Sequence, residues 1–161
     1  PNNNGSSFGV SKVDHIKNLE EAIIEARKYS KDVIIEKAYN FAEYTVGILK
    51  GEALLPLEII ADNNEGFYDY EAKYLNKGTK KVEVVDKNIK EELKNIALKA
   101  FYKHGCQTWG RVDFVYDGND LGVLEINTVP GFTEKSLFPL AAKMSGINYQ
   151  ELITNIIEDS L

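Results

Sequence analysis

The chain has 161 residues, 43% hydrophobic and 27% charged, which suits one compact globular domain or slightly more. Acidic side chains outnumber basic ones, 25 to 19, and no basic cluster stands out, so a nucleic-acid partner is not expected and an anionic ligand would need local cations or a metal. A single cysteine, Cys106, excludes an internal disulfide framework and fits a reducing compartment, and no run is apolar enough to span a bilayer.

Pro1-Asn2-Asn3-Asn4-Gly5 has no initiator Met and reads as the middle of a loop, so a longer parent chain is expected. Gly5 to Gly9 is a small-residue loop of the kind whose N–H groups can approach phosphates, although an ordinary flexible loop fits the same residues. It is not a Walker loop, because no Gly-Lys-Ser/Thr follows. Val10 to Val13 reads as a short strand. Asn18 can cap a helix running to about Tyr29, with Leu19, Ala22, Ile23 and Ala26 on one face. Val33 to Lys37 reads as a strand, and Glu43 to Leu49 as another. Lys50-Gly51-Glu52 turns the chain back into Ala53 to Ala61, which Pro56 should break. Glu36 and Glu43 are either solvated strand ends or carboxylates placed to hold a nucleoside.

Phe67 to Tyr74 is dense in aromatics and charge, which predicts a structured surface loop or lid, or else a twisted strand with exposed tyrosines. Asp86 can cap a long helix, Asn88 to His104, with Ile89, Leu93, Ile96, Ala97, Ala100 and Phe101 on one stripe and His104-Gly105 as its stop. Cys106 reads as a core filler. His15 and His104 have no ligand-spaced partner, so no zinc site is expected.

Arg111 to Tyr116 and Val123 to Asn127 read as a hairpin closed by Asp117-Gly118-Asn119-Asp120. Alternation puts Val112 with Phe114, and Leu124 with Ile126, on an apolar back. The front then carries Arg111, Asp113, Glu125 and Asn127. Such a face is either solvated or a set of oxygen ligands for a hard divalent cation. The sharp Thr128-Val129-Pro130-Gly131 loop behind it could present N–H groups to an oxyanion. Leu137 to Met144 and Tyr149 to Asp159 read as amphipathic helices split by Ser145-Gly146.

Six pieces resemble, in order and spacing, the D-alanine–D-alanine ligases, ATP-grasp enzymes of bacterial peptidoglycan synthesis. They are Gly-Ser-Ser-Phe-Gly-Val-Ser-Lys-Val, Ile-Glu-Lys, Glu-Tyr-Thr-Val, Phe-Tyr-Asp-Tyr-Glu-Ala-Lys-Tyr, Gly-Cys-Gln-Thr-Trp-Gly-Arg-Val-Asp-Phe and Glu-Ile-Asn-Thr-Val-Pro-Gly-Phe-Thr-Glu-Lys-Ser-Leu. The resemblance implies an α+β, ATP-grasp fold. Residues 1–39 would end the central ATP-binding domain, residues 40–161 would form the C-terminal catalytic domain, and an N-terminal domain would lie outside this chain. Three departures stand out: the Asn2-Asn3-Asn4 run, Ala42 where Gly or Pro is common, and Lys80 to Asp86, which lacks the Pro-Ala that often follows the lid.

Carried over residue by residue, the resemblance makes Asp113, Glu125 and Asn127 ligands of two magnesium ions, or of manganese in their place. Arg111 and Lys73 would neutralise the transferring γ-phosphoryl group. Ser7 would belong to the loop over the phosphates, Glu36, Lys37 and Tyr39 would hold the adenine, and Glu43 the ribose. Ser6 and Tyr74 would lock the lid, Gly131 would donate its N–H to the tetrahedral oxyanion, and Ser136 with the Leu137 N–H would hold the second D-alanine's carboxylate. The implied reaction first phosphorylates one D-alanine with ATP, and the amine of a second D-alanine then displaces phosphate from the acyl phosphate. A cytoplasmic bacterial enzyme, homodimeric at full length, is implied, with this chain inactive alone. Another ATP-grasp carboxylate–amine ligase and a non-catalytic fragment are the competing readings. The Glu71-Ala72-Lys73-Tyr74 and Ser136-Leu137 pieces count against the first of these.

Overall fold

The structure, a computed structural model, describes residues 1–5, 7–39, 41–60 and 79–160. These fall into two compact units, one holding 1–39 with residue 79, the other 41–60 with 80–160.

In the first unit, α1 (Leu19–Arg27) follows a 3-10 turn at Ile16–Asn18. The stripe Leu19, Ala22, Ile23 and Ala26 is its less exposed side, as its spacing predicts. Asn18 takes the N-cap position without a side-chain cap hydrogen bond. Two expected strands are absent: Val10 to Val13 and Val33 to Lys37 run without strand structure, and Ile34 and Ile35 are exposed. An isolated β-prone segment has nothing to bond its N–H and C=O groups, and neither segment has a ladder partner among the described residues.

The second unit is built on an antiparallel sheet. Its strands are β1 (Ala42–Leu49), β2 (Glu52–Ala53), β3 (Leu57–Ile60), β4 (Lys80–Glu83), β5 (Trp109–Tyr116) and β6 (Leu121–Asn127). The order across the sheet is β4-β3-β1-β5-β6, with β2 pairing β1. Lys50 and Gly51, at φ 48 and φ 81, close the β1–β2 hairpin, the positive-φ pair that a two-residue turn needs to follow the strand twist. Pro56 separates β2 from β3 as expected, and its carbonyl accepts from Val84 N at 3.1 Å.

The helices are α2 (Lys87–Lys103), α3 (Leu137–Met144) and α4 (Tyr149–Asp159). Asp86 caps α2 by accepting from Asn88 N at 2.8 Å and Ile89 N at 3.1 Å. Asn148 and Glu151 close a reciprocal capping box on α4. The helices cover opposite faces of the sheet. Leu93, Ala97 and Phe101 of α2 pack with Tyr44, Val46, Ile48, Val112 and Phe114, and Cys106 fills in at the edge of that core. Phe138, Ala141 and Ala142 of α3 and Leu152 of α4 pack with Leu49, Leu54 and Leu57. Gly47 admits this second layer, since a Cβ there would stand 2.8 Å from Leu54 Cδ1 and 3.0 Å from Phe138 Cδ2.

The hairpin departs from strict alternation at one point. Asp113 pairs with Glu125 but Phe114 pairs with Val123, so Leu124 is the extra residue of a bulge. Leu124 therefore leaves the apolar back and is exposed, while Ile126 stays opposite Val112 as expected. β4 is the one strand not anticipated from sequence, because Lys80 to Glu83 is mostly charged.

Candidate active site

Three strands place one polar patch on the face that α3 also covers. Thr45 on β1 lies opposite Asp113 on β5, and Asp113 lies opposite Glu125 on β6. Gly47 likewise lies opposite Arg111, and Arg111 opposite Asn127. Side chains of directly paired residues share a face, so Arg111, Asp113, Glu125 and Asn127 point the same way. The bulge falls just past Glu125 and leaves this register intact.

Asp113 is the hub. Its Oδ1 accepts from Thr45 Oγ1 at 2.6 Å and from Arg111 Nε at 2.8 Å. Its Oδ2 accepts from an Arg111 terminal nitrogen at 2.6 Å and from Asn127 Nδ2 at 3.0 Å. The same amide also reaches Glu125 Oε1 at 3.3 Å. The Arg111 and Asp113 side chains are each only 13% exposed, so this bidentate pair is largely shielded from water. Glu125, by contrast, is open to solvent on the edge strand.

Glu43 belongs to the same face, two residues before Thr45 on β1. Lys81 joins it from the far side, since Ile59 pairs with both Glu43 and Lys81. The Lys81 amine donates to the carbonyl oxygen of Lys135 at 3.3 Å. Burial, and then the nearby Arg111 guanidinium, lower its pKa from the ordinary lysine value.

The loop after β6 is pinned by aromatic packing. Phe132 stacks among Trp109, Phe138 and Tyr149, and the Tyr149 hydroxyl donates to the Phe132 carbonyl at 2.7 Å. Behind Phe132, Ser136 N donates to Thr133 O at 2.8 Å, and the Ser136 hydroxyl accepts from Thr133 N at 3.1 Å. Ser136 is the N-cap residue of α3, yet its side chain makes no cap bond to the helix, because it is turned to Thr133. A Cβ on Gly131 would stand 3.3 Å from Ser136 Oγ, so Gly131 and Ser136 line one small space. Leu137 opens α3 there, where first-turn N–H groups lack intrahelical partners.

Glu43, Arg111, Asp113, Glu125, Asn127, Gly131, Ser136 and Leu137 all belong to the second unit, where the first five share one face of the sheet and Gly131 lies against Ser136. Ser7, Glu36, Lys37 and Tyr39 belong to the first unit. There Ser7 takes a positive φ of 60, and the Lys37 amine lies 4.8 Å from the centre of the Tyr39 ring. Ser6, Lys73, Tyr74 and the rest of the expected lid, Phe67 to Tyr74, lie outside the described residues.

Among the described residues no group of three or more His, Cys, Asp or Glu could hold a metal. The candidate set is two carboxylates and an amide, oxygen donors that suit Mg²⁺, which takes few protein ligands and completes its shell with phosphate and water. Among the described residues no helix is long and apolar enough to cross a membrane.

Residues 1–158 match the family described as "D-ala D-ala ligase C-terminus". The chain belongs to this ligase family. The D-alanine–D-alanine ligase of Buchnera aphidicola subsp. Schizaphis graminum is 44% identical over 161 residues, spanning 98% of this chain and 52% of that protein. The ligase of Alcanivorax borkumensis is 40% identical over 164 residues, spanning 100% and 53%. The chain therefore spans about half the length of the curated ligases it matches. A crystal structure of the Bacillus anthracis ligase complexed with ATP matches at a TM-score of 0.75 and 26% identity, over 91% of this chain and 47% of that one. The Coxiella burnetii ligase matches at 0.78 and 27%, over 97% and 42%. The antiparallel sheet flanked by helices is the ligase C-terminal fold.

Two polar residues of this candidate face escaped the sequence reading. Thr45 had a faint signal, a hydroxyl inside the apolar run Tyr44 to Leu49. Lys81 had none, because its segment resembles a solvated charged stretch until β4 is paired.

Proposed function

We propose that this chain is the C-terminal half of an ATP-dependent ligase that joins two D-alanines through an acyl phosphate, for cell-wall synthesis. The observation that carries the reading is the shared face of Arg111, Asp113, Glu125 and Asn127, a cation beside two carboxylates and an amide. In this reading residues 1–39 end the ATP-binding domain, and the full-length enzyme is a cytoplasmic homodimer.

Asp113, Glu125 and Asn127 would hold Mg²⁺, with the Asn127 amide turned to present its oxygen instead of its nitrogen. The metal supplies charge neutralisation for the phosphates of ATP. Arg111 adds a permanent positive charge at the γ-phosphoryl group, with Lys73 as its partner by resemblance. The Arg111–Asp113 pair sets two opposite charges, each largely shielded from water, against each other. With phosphate and cation bound, each of the two side chains would have a further opposite charge beside it. Glu43 would accept the ribose hydroxyls, Glu36, Lys37 and Tyr39 the adenine, and the loop around Ser7 the phosphates. Gly131 N–H would receive the developing oxyanion, with Ser136 and the Leu137 N–H positioning the acceptor's carboxylate. Ser6 and Tyr74 would hold the lid closed. Phosphorylation turns a carboxylate oxygen into a good leaving group, and the protein contributes position and charge.

The test is phosphate release from ATP and D-alanine by the full-length protein and its Asp113→Ala and Glu125→Ala variants. Wild type should turn over only with D-alanine in a panel of amino acids, and both variants should stay folded and lose activity. Near-normal release from either variant would overturn the metal assignment, and a different preferred amino acid would point to another carboxylate–amine ligase.

A further inference from the structure

Thr45 has no part in the roles assigned above, yet its hydroxyl bonds the carboxylate at the centre of the face. It is 1% exposed, and on the α3 side of β1 it alternates with Glu43, Gly47 and Leu49. A buried hydroxyl is costly unless it is hydrogen-bonded, and Val would fill the same space without that cost. Here the hydroxyl donates to Asp113 Oδ1 at 2.6 Å, across the β1–β5 pairing. The direction of the bond is fixed, because an ionised carboxylate only accepts. Burial keeps water from replacing this donor, and the β-branch restricts its rotamer.

The two oxygens of Asp113 are held from opposite sides. Oδ1 is bonded from β1 by Thr45, and Oδ2 from β6 by Asn127 at 3.0 Å. Arg111, two residues away on the same strand, bonds both, with Nε on Oδ1 at 2.8 Å and a terminal nitrogen on Oδ2 at 2.6 Å. Arg111 therefore sets the plane of the carboxylate, while Thr45 and Asn127 set which oxygen faces which strand. The other two candidate ligands, Glu125 and Asn127, both lie on β6, the side that Oδ2 faces. Asn127 can offer its oxygen to a cation only by turning its amide, and its bond to Oδ2 is then given up. Thr45 is the cross-strand donor that stays on Asp113 through that change.

We propose that Thr45 is a positioning residue for the metal ligand Asp113: its hydroxyl holds Oδ1 toward β1, so that Oδ2 is the oxygen offered to the cation together with Glu125 and Asn127. This rests on the metal assignment of the ligase reading above. Partners of this kind, which orient a ligand without touching the metal, change metal affinity about 10- to 100-fold when removed.

The experiment uses the full-length protein with Thr45→Val, which removes the donor and keeps the shape, and Thr45→Ser, which keeps the donor. Mn²⁺ is titrated in the presence of β,γ-methylene-ATP, which is not cleaved, and free Mn²⁺ is read by electron paramagnetic resonance. Affinity for the same nucleotide is measured in EDTA as a control. The Val variant should bind Mn²⁺ about 10- to 100-fold more weakly, with its metal-free nucleotide affinity unchanged, and Ser should restore most of the loss. In phosphate-release assays the Mg²⁺ activation constant of Val should rise by the same factor, with KM for D-alanine unmoved. Where Val does not fold, Thr45→Ala deletes the same hydroxyl and is compared with Ser in the same way. Wild-type Mn²⁺ affinity in a folded Val or Ala variant would overturn the proposal and leave Thr45 a purely structural residue. A Ser variant as weak as Val, or an equal loss of nucleotide affinity in EDTA, would overturn it too. A wild type that binds no Mn²⁺ beside the nucleotide sinks the metal assignment itself, whereas a wild type and a Val variant that bind it equally sink only this inference.

Discussion

Replacing Thr45 by Val tests whether the carboxylate hub is held as the structure describes. Thr45 is 1% exposed and its hydroxyl donates to Asp113 Oδ1 at 2.6 Å. Val has nearly the same shape, so no cavity opens and the change isolates the hydrogen bond. A bond to a charged group contributes about 1.5–3 kcal/mol net. Asp113 keeps its two bonds from Arg111 and one from Asn127, so the low end applies, about 1.5 kcal/mol. For a chain of this size each kcal/mol moves Tm by about 2–4 °C, so a fall of roughly 3–6 °C is expected. Thermal and urea unfolding followed by circular dichroism would read it. A double-mutant cycle with Asp113→Asn separates the pair from its surroundings, and the coupling should exceed the ~0.5 kcal/mol scatter of independent sites. Additive effects, or a Val variant as stable as the parent, would refute the hydrogen-bonded hub.

Two further outcomes follow from the same geometry. Gly110→Ala would place a Cβ 2.7 Å from Phe101 Cε2 and 3.0 Å from the Asn127 carbonyl oxygen. Overpacking of this kind costs about 1–3 kcal/mol, and because one neighbour is the backbone of a site residue, urea unfolding should show the loss and nucleotide affinity should fall with it. For Lys81, the folded-state pKa lies below 10.5 and the unfolded value near it, so the unfolded chain binds more protons between the two. Stability therefore rises with pH across that window as the buried charge is relieved. The urea midpoint of Lys81→Met should exceed wild type below the window and converge with it above 10.5, and a constant gap would contradict the burial of a charged amine.

Local pattern was a good guide wherever an element carries its own instructions. The cap at Asp86, the stripe of α2, the break at Pro56 and the turn at Lys50-Gly51 depend on residues close in sequence. The front of the hairpin was legible for the same reason, since period-two alternation assigns Arg111, Asp113, Glu125 and Asn127 to one side. What alternation left open was whether that side faced water or enclosed chemistry. It also misplaced Leu124, because a bulge is decided by pairing with the neighbouring strand.

The sequence by itself determined the fold class, the ligase family and the order of the candidate residues, because motif identity and spacing are one-dimensional properties. Tertiary structure decided the rest. Val10 to Val13 and Val33 to Lys37 have strand composition but find no ladder partner among the described residues, and Lys80 to Glu83 has little of it but finds β3. Asp113 meets Thr45 across 68 positions, and Lys81 meets the Ser136 loop across 54. Partners so distant in sequence leave no local trace, so the charge balance of the site exists only once the sheet has formed.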